Sequence, residues 1–334
     1  MSADKPMVSV LGPVVVRYLG LKRALGRGYD TEARILQSLE TFLAAIEQGP
    51  ADLTPGTFAN WCRSLEHFTS GVRRRWMQVV RNFCLYRRRT DPTCFVPDSA
   101  LFPLRHQSVR PYIFSEFEIA QLLGVTRSLQ RTRQMPICPE TFHLGIVLLY
   151  TTGLRRGELV RLTIGDYNPD ERTLLIRGTK FHKSRLIPVA ADVSQELGNY
   201  LQARRRYSLP TCSNAPMLWN GQRGFHGYTG PGFAHKLRDI IKASGIRKND
   251  GRPPRVHDIR WTFAVQALLR WYRSGVNVQA KLPLLATYMG HVSIASTHYY
   301  LPLIESLSMA ATDLFAKRYG KLIEPIDKRK GGQR

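Results

Sequence analysis

Apolar residues recur at helical spacing through the first hundred positions. From Asp30–Thr31 onward, Ile35, Leu36, Leu39, Phe42, Leu43 and Ile46 follow the i, i+3, i+4, i+7 rule that turns one helix face into a core. Gly49–Pro50 ends that run. Thr54–Pro55 opens a second helix, with proline in the first turn and Phe58, Trp61, Cys62 and Leu65 as its stripe. A longer helix, from about Ser70 to Arg89, carries Trp76, Val79, Val80, Phe83 and Tyr86 inward. An earlier helical stretch begins at Pro13, after a loose lead-in over Met1–Val10. Residues 10–100 thus predict a small all-helical domain. Thr90–Val109 holds Pro92, Pro97 and Pro103 without a sustained period, which predicts a linker.

The pattern then resumes and changes period. Ser115 and Glu118 fit a capping box ahead of Ile119, Leu122 and Leu123. Phe142–Thr152 predicts a buried helix running into Gly153-Leu154-Arg155. Arg172–Gly178 and Ser184–Ala190 alternate as strands around the turn Thr179–Lys183, and Leu162–Tyr167 offers a third strand. Helical spacing returns in Leu197–Tyr207, Val256–Arg273, Leu282–Met289 and Leu303–Arg318, while Ser213–Gly232 predicts a Gly-rich loop. The fold class is therefore mainly α with a small antiparallel β-sheet. Two domains are expected, over 10–100 and 110–320, followed by a basic tail over 321–334 that is too charged to pack. No internal repeat is present.

Charge narrows the function. Lys and Arg number 49 against 25 Asp and Glu, a formal net charge of +24. Such an excess implies a polyanionic partner. Val8–Val16 is broken by Ser9, Gly12 and Pro13, and Ile146–Tyr150 is far too short to span a bilayer, so no membrane role is expected. Nucleic acid is therefore the expected partner. Arg73, Arg74 and Arg75 lie fourteen positions before Arg87, Arg88 and Arg89, close to four helical turns. These six are candidate phosphate contacts. The five cysteines show no C-x-x-C spacing, so reduced thiols in a cytoplasm are expected rather than a zinc site or disulfides. No Gly-x-x-x-x-Gly-Lys-Ser/Thr stretch occurs, which disfavours a nucleotide cofactor.

Candidate chemistry lies in three stretches: Thr152–Glu158 (TGLRRGE), His257–Arg260 (HDIR) and Ala286–Leu301 (ATYMGHVSIASTHYYL). Breaking a phosphodiester with a side-chain nucleophile needs cations on the non-bridging oxygens, for which arginine forks are best suited. It also needs an acid for the leaving 5′ oxygen and an acceptor for the nucleophile's proton. A tyrosine titrating near ~10 attacks only when both are supplied.

Arg155, Lys180, His257, Arg260, His291 and Tyr300, taken in that order, resemble the active site of the tyrosine recombinase (phage integrase) family. The resemblance covers Pro111–Phe315 well, and residues 10–100 only as a generic helical core-binding (SAM-like) domain. It implies a two-domain DNA clamp. It further implies that Arg155 and Arg260 clamp the scissile phosphate, with Glu158 in support. Lys180 would be the general acid, His257 would assist proton transfer, His291 would position the phosphate, and Tyr300, nine positions after His291, would be the nucleophile. Trp261 stands where the family often has histidine. Arg156 beside Arg155, and Lys183 near Lys180, leave second candidates for two roles.

The implied activity is a site-specific DNA recombinase working through a 3′-phosphotyrosine, with no metal and no ATP. Integration, excision, transposition and dimer resolution all fit, for a mobile element or a chromosome. Double-stranded DNA as the partner, and self-association as a tetramer on two DNA sites, are implied. The implied setting is the bacterial cytoplasm, associated with the nucleoid. Two other readings stay open: a type IB topoisomerase-like enzyme, and a non-catalytic DNA-binding module.

Overall fold

A computed structural model describes residues 9–46, 52–104, 110–177, 184–221 and 227–290. The chain divides into two compact units, Met1–Val109 and Arg110–Arg334. Among the described residues no helix is long and apolar enough to cross a membrane.

The first unit contains α1 (Gly12–Ala24), α2 (Asp30–Ala44), α3 (Pro55–Ser64) and α4 (Ser70–Arg87). Its core joins Tyr18 and Leu19 of α1, Leu36 and Leu39 of α2, Trp61 of α3 and Val80 and Phe83 of α4. These are the stripes that the spacing predicts, except that Phe42, Ile46, Cys62, Trp76 and Tyr86 are only partly buried while Met77 and Cys84 are buried. Helix α3 starts where Thr54 and Thr57 cap each other: Thr57 N–H donates to Thr54 Oγ1 (3.2 Å) and Thr54 N–H to Thr57 Oγ1 (2.7 Å).

The stretch expected as a linker departs from that reading. Cys94 and Phe102 are buried in the first unit. Arginines of α4 and its C-cap Arg88 bind the carbonyls around them: Arg74 donates to Pro103 O (2.7 Å), Arg81 to Pro97 O and Arg88 to Cys94 O (3.4 Å). Prolines remove N–H donors but leave carbonyls. A prolyl segment without a period can therefore be held by side-chain cations.

The second unit contains α5 (Glu116–Arg127), α6 (Cys138–Thr152), α7 (Arg156–Leu159), β1 (Tyr167–Asn168), β2 (Thr173–Ile176), β3 (Arg185–Pro188), α8 (Ala191–Arg206), α9 (Gly230–Ala243), α10 (Val256–Arg273) and α11 (Val278–Met289). Helix α6 is apolar almost all round, with Phe142, Leu144, Ile146, Leu148 and Leu149 buried. That pattern marks a central helix, and α6 packs against α5, α8 and α10. The strands form an antiparallel sheet in the order β1-β2-β3, with Leu174 opposite Ile187 and Ile176 opposite Arg185.

Several boundaries differ from the sequence reading. Helix α6 begins at Cys138 and α8 at Ala191, earlier than their apolar stripes. Of Leu162–Tyr167 only Tyr167 is strand; Ile164–Asp166 forms a 3-10 turn, and Thr163 N–H donates to Asp166 Oδ2 (2.9 Å). Helix α9 departs furthest from the sequence reading, which expects a loop through Gly232. Gly230 and Gly232 disguise its start, since glycine disfavours helix. Thr229 caps it by accepting Gly232 N–H (3.1 Å), and Phe233, Leu237, Ile240 and Ile241 face the core.

Candidate active site

The site begins at the end of α6. Gly153 terminates that helix with φ +59°, a left-handed conformation natural to glycine. A Cβ there would also lie 2.3 Å from Phe263 Cδ1 of α10. The close packing of α6 on α10 thus needs this glycine twice over. Gly153→Ala is expected to destabilise the second unit by about 2–5 kcal/mol, combining backbone strain with overpacking. Calorimetry would show it as a midpoint lowered by roughly 5–15 °C.

The turn sends Arg155 to the N-terminus of α7 and Glu158 into its first turn. Glu158 is almost fully buried and accepts four hydrogen bonds. Its Oε2 takes Arg155 N–H (2.9 Å) and Arg185 Nη2 (2.8 Å); its Oε1 takes Arg155 Nη1 (2.9 Å) and Arg185 Nη1 (3.1 Å). Burial alone would raise the carboxyl pKa. The hydrogen bonds from Arg185 and from the Arg155 backbone, with the charges beside them, instead bring it down to about 2. Glu158 is therefore ionised throughout the neutral range.

The end of α11 completes the arrangement. The last carbonyls of a helix lack intrahelical partners. Gly290, with φ +67°, closes back on Thr287 O (3.0 Å). Three arginines then take the next three carbonyls in succession. Arg185 Nε donates to Tyr288 O (2.9 Å), Arg260 Nη2 to Met289 O (2.7 Å) and Arg155 Nη2 to Gly290 O (2.7 Å). Cations at the negative end of a helix dipole are favourable. Arg260, buried on α10, also donates to Gly153 O, tying the two glycine turns together. The Arg155 side chain remains 35% exposed, so a ligand can reach it.

His257 precedes Arg260 by one helical turn, which places both on neighbouring positions of α10. It retains an open edge toward solvent. Partial desolvation of the ring, then the Arg260 charge, hold its pKa below the ordinary histidine value; Arg255 and Arg155 add to the effect and Asp258 opposes it. The neutral imidazole keeps a ring nitrogen free to accept a hydrogen bond or a proton, although the three nearby guanidinium groups disfavour the imidazolium. Among the described residues no group of three or more His, Cys, Asp or Glu side chains is placed to hold a metal ion.

A model of the phage integrase family matches residues 114–305, more than half of the chain. The protein belongs to the phage integrase family, the tyrosine recombinases. It is similar to the integrase/recombinase-like protein y4rB of Sinorhizobium fredii, 32% identical over 297 residues, covering 88% of this chain and 93% of that one. It is also similar to the tyrosine recombinase XerD of Brucella abortus, 27% identical over 287 residues, covering 84% and 85% of the two chains. Its fold resembles the Tn1549 transposon integrase in complex with transposon right-end DNA, with a TM-score of 0.62 at 16% identity, covering 91% of this chain and 99% of that one. Lambda integrase bound to DNA shares it less closely, with a TM-score of 0.55 at 14% identity over 80% and 90% of the two chains.

Of the recombinase residues expected from sequence, the structure brings together Arg155, Glu158, His257 and Arg260. Lys180, His291 and Tyr300 lie outside the described residues, as do Lys183, Tyr299 and the apolar stripe after Tyr300. Arg156, the second candidate beside Arg155, runs toward the start of α9, with its Nε 3.5 Å from where a Gly230 Cβ would stand. The residue missed in the sequence is Arg185. Alternation along β3 did carry a signal: Arg185 shares a strand face with buried Ile187, while Leu186 between them is exposed. An arginine on the inward face of a strand needs a partner.

The six candidate arginines of the first unit differ in what holds them. Arg87 forks onto Asp52 and reaches Asp91 (3.0 Å), and hydrogen bonding to Asp52 holds its charge firmly. Arg74 and Arg88 bind carbonyls as described above, and Arg73 is half-buried. Arg75, with its side chain 61% exposed and a long contact to Glu32 (3.5 Å), and exposed Arg89 face solvent. Helix α4 ends at Arg87, so Arg89 lies beyond it.

Proposed function

We propose that this protein is a site-specific DNA recombinase that cuts one strand of duplex DNA with Tyr300. The Tyr300 oxygen attacks the scissile phosphorus, the bond to the 5′ oxygen breaks, and a 3′-phosphotyrosine and a free 5′ hydroxyl result. A 5′ hydroxyl from the partner duplex then attacks the phosphotyrosine and frees Tyr300. Each step exchanges one phosphoester for another, so the broken bond's energy is retained.

The observation that carries this reading is the clamping of Arg155 and Arg260 onto the last turn of α11, directly before His291 in sequence. Two guanidinium groups fixed by backbone carbonyls are preorganised for the charge that develops on the non-bridging oxygens. Lys180 would protonate the leaving oxygen, His257 would accept the Tyr300 proton and His291 would hold the phosphate. The Tn1549 and lambda integrases are bound to DNA in their structures, which supports duplex DNA as the partner here. Both units would contribute a DNA-contacting surface, as in a clamp, and four protomers on two sites would supply the active sites for exchange.

The test is recovery of DNA attached covalently to the protein under denaturing conditions, followed by sequencing of the attached end. The expected product is a defined 3′ end on a tyrosine, formed without metal or ATP. Specific binding without an adduct would mean a binding module instead. Relaxation of any supercoiled plasmid, with no site requirement, would mean a topoisomerase.

Electrostatic contact is testable separately. Arg75→Ala combined with Arg89→Ala is expected to reduce the slope of log K against log salt by roughly 1–2, since each phosphate contact contributes about 0.9. Arg87→Ala, by contrast, should weaken the helical unit and leave the slope unchanged, because its fork is occupied by Asp52 and Asp91. Titrations at several salt concentrations separate these outcomes.

A further inference from the structure

Arg185 joins three elements distant in sequence. It stands in β3, its fork grips Glu158 of α7 27 positions away, and its Nε holds Tyr288 O of α11 103 positions away. Only 11% of its side chain is exposed. A Cβ on Gly290 would lie 2.6 Å from its Nη1, so the end of α11 closes directly over the guanidinium.

Arg185 is the stronger of the two cationic supports of Glu158, but charge is not all that it supplies. Arg155 already supplies one charge and two hydrogen bonds to that carboxylate. What Arg155 cannot do is fix the carboxylate relative to α11 and the sheet. Arg185 does, and it follows Lys180 by five positions in the chain. One planar fork thus sets the relative places of Arg155, of the α11 end that leads to His291, and of the strand that follows Lys180. A lysine could keep the charge but not the geometry, since its ammonium is a single point with no fork.

We propose that Arg185 is a positioning residue of the recombinase, acting through Glu158 and the α11 terminus to hold Arg155 in its phosphate-binding place. This rests on the function proposed above. The assay is single-turnover adduct formation at saturating protein on a nicked duplex of the recovered site, with affinity measured separately. Arg185→Lys is expected to bind within about threefold of wild type and to form adduct about 10–100-fold more slowly, the scale of a small misplacement at a reacting centre. Combined with Glu158→Gln, the loss is expected to be clearly smaller than the product of the two single losses, because both act on Arg155. Should Arg185→Lys not fold, the neutral pair Arg185→Gln with Glu158→Gln leaves no charge buried without a partner, since the Arg155 side chain reaches solvent, and is held to the same split: affinity kept, rate lost. If wild type forms no adduct, both readings fall. If wild type is active, Arg185→Lys at the wild-type rate overturns this proposal alone. So does a loss that falls on affinity instead of rate, or single losses that multiply.

Discussion

Tyr300→Phe protein should bind its DNA site and form no covalent product on a denaturing gel, while Tyr299→Phe protein should cleave as wild type does. The loss should reach at least roughly 10⁴-fold, because deleting a covalent nucleophile removes the reaction path itself. Phenylalanine keeps the ring and its packing, so fold and affinity are retained. Adjacent side chains point in different directions, about 100° apart on a helix and to opposite faces on a strand. Only one of the two hydroxyls can therefore face the phosphate that His257, Arg155 and Arg260 are proposed to address. The place of Tyr300 nine positions after His291 favours it. The measurement is a suicide duplex nicked near the cut, incubated with each variant. An adduct from Tyr300→Phe and none from Tyr299→Phe would move the nucleophile by one residue. Adducts from both would remove the tyrosine assignment at this pair.

Arg155→Ala should slow adduct formation by about 10²–10³-fold, the cost of losing one preorganised donor to a developing oxyanion. Arg155 is a better probe than Arg260 for a structural reason. Arg260 is buried and carries Gly153 O and Met289 O, so its removal strands two carbonyls inside the unit. Removing the Arg155 side chain leaves Glu158 with both Arg185 hydrogen bonds and the Arg155 backbone N–H. The fold should survive with a modest fall in thermal midpoint, and DNA affinity should change by less than about tenfold, since one phosphate contact among many is lost. Arg155→Lys should lie between, as it keeps charge without a bidentate fork. Adduct formation at the wild-type rate by Arg155→Ala would show that this arginine does not touch the reacting phosphate.

Local pattern was enough for much of the architecture. The stripes of α2, α3 and α4, the Ser115–Glu118 capping box and helix α10 depend on neighbours within a few residues, and the β2–β3 pair on partners no more than fifteen apart. Those are the interactions that spacing and cap residues encode. The Gly153 turn with Arg155 and Glu158 was legible for the same reason. Its cap closes over three positions, from Arg155 to Glu158.

What the sequence did not show has long-range causes. Helix α9 forms despite two glycines at its start because Phe233 fills the space left by the missing Cβ of Gly145 on α6, 2.6 Å from where that atom would be. A run of arginines reads as one basic face until partners are known. Asp52, 35 positions from Arg87, withdraws that residue from solvent, while Arg75 stays outside. Composition and order of residues determined the family, the strong positive charge and the set of candidate groups. Only tertiary structure decided that Arg185, Arg260 and Arg155 each take one of three successive carbonyls at the end of α11. A helix terminus leaves those carbonyls open, and which cations fill them depends on elements 29 to 135 positions away along the chain.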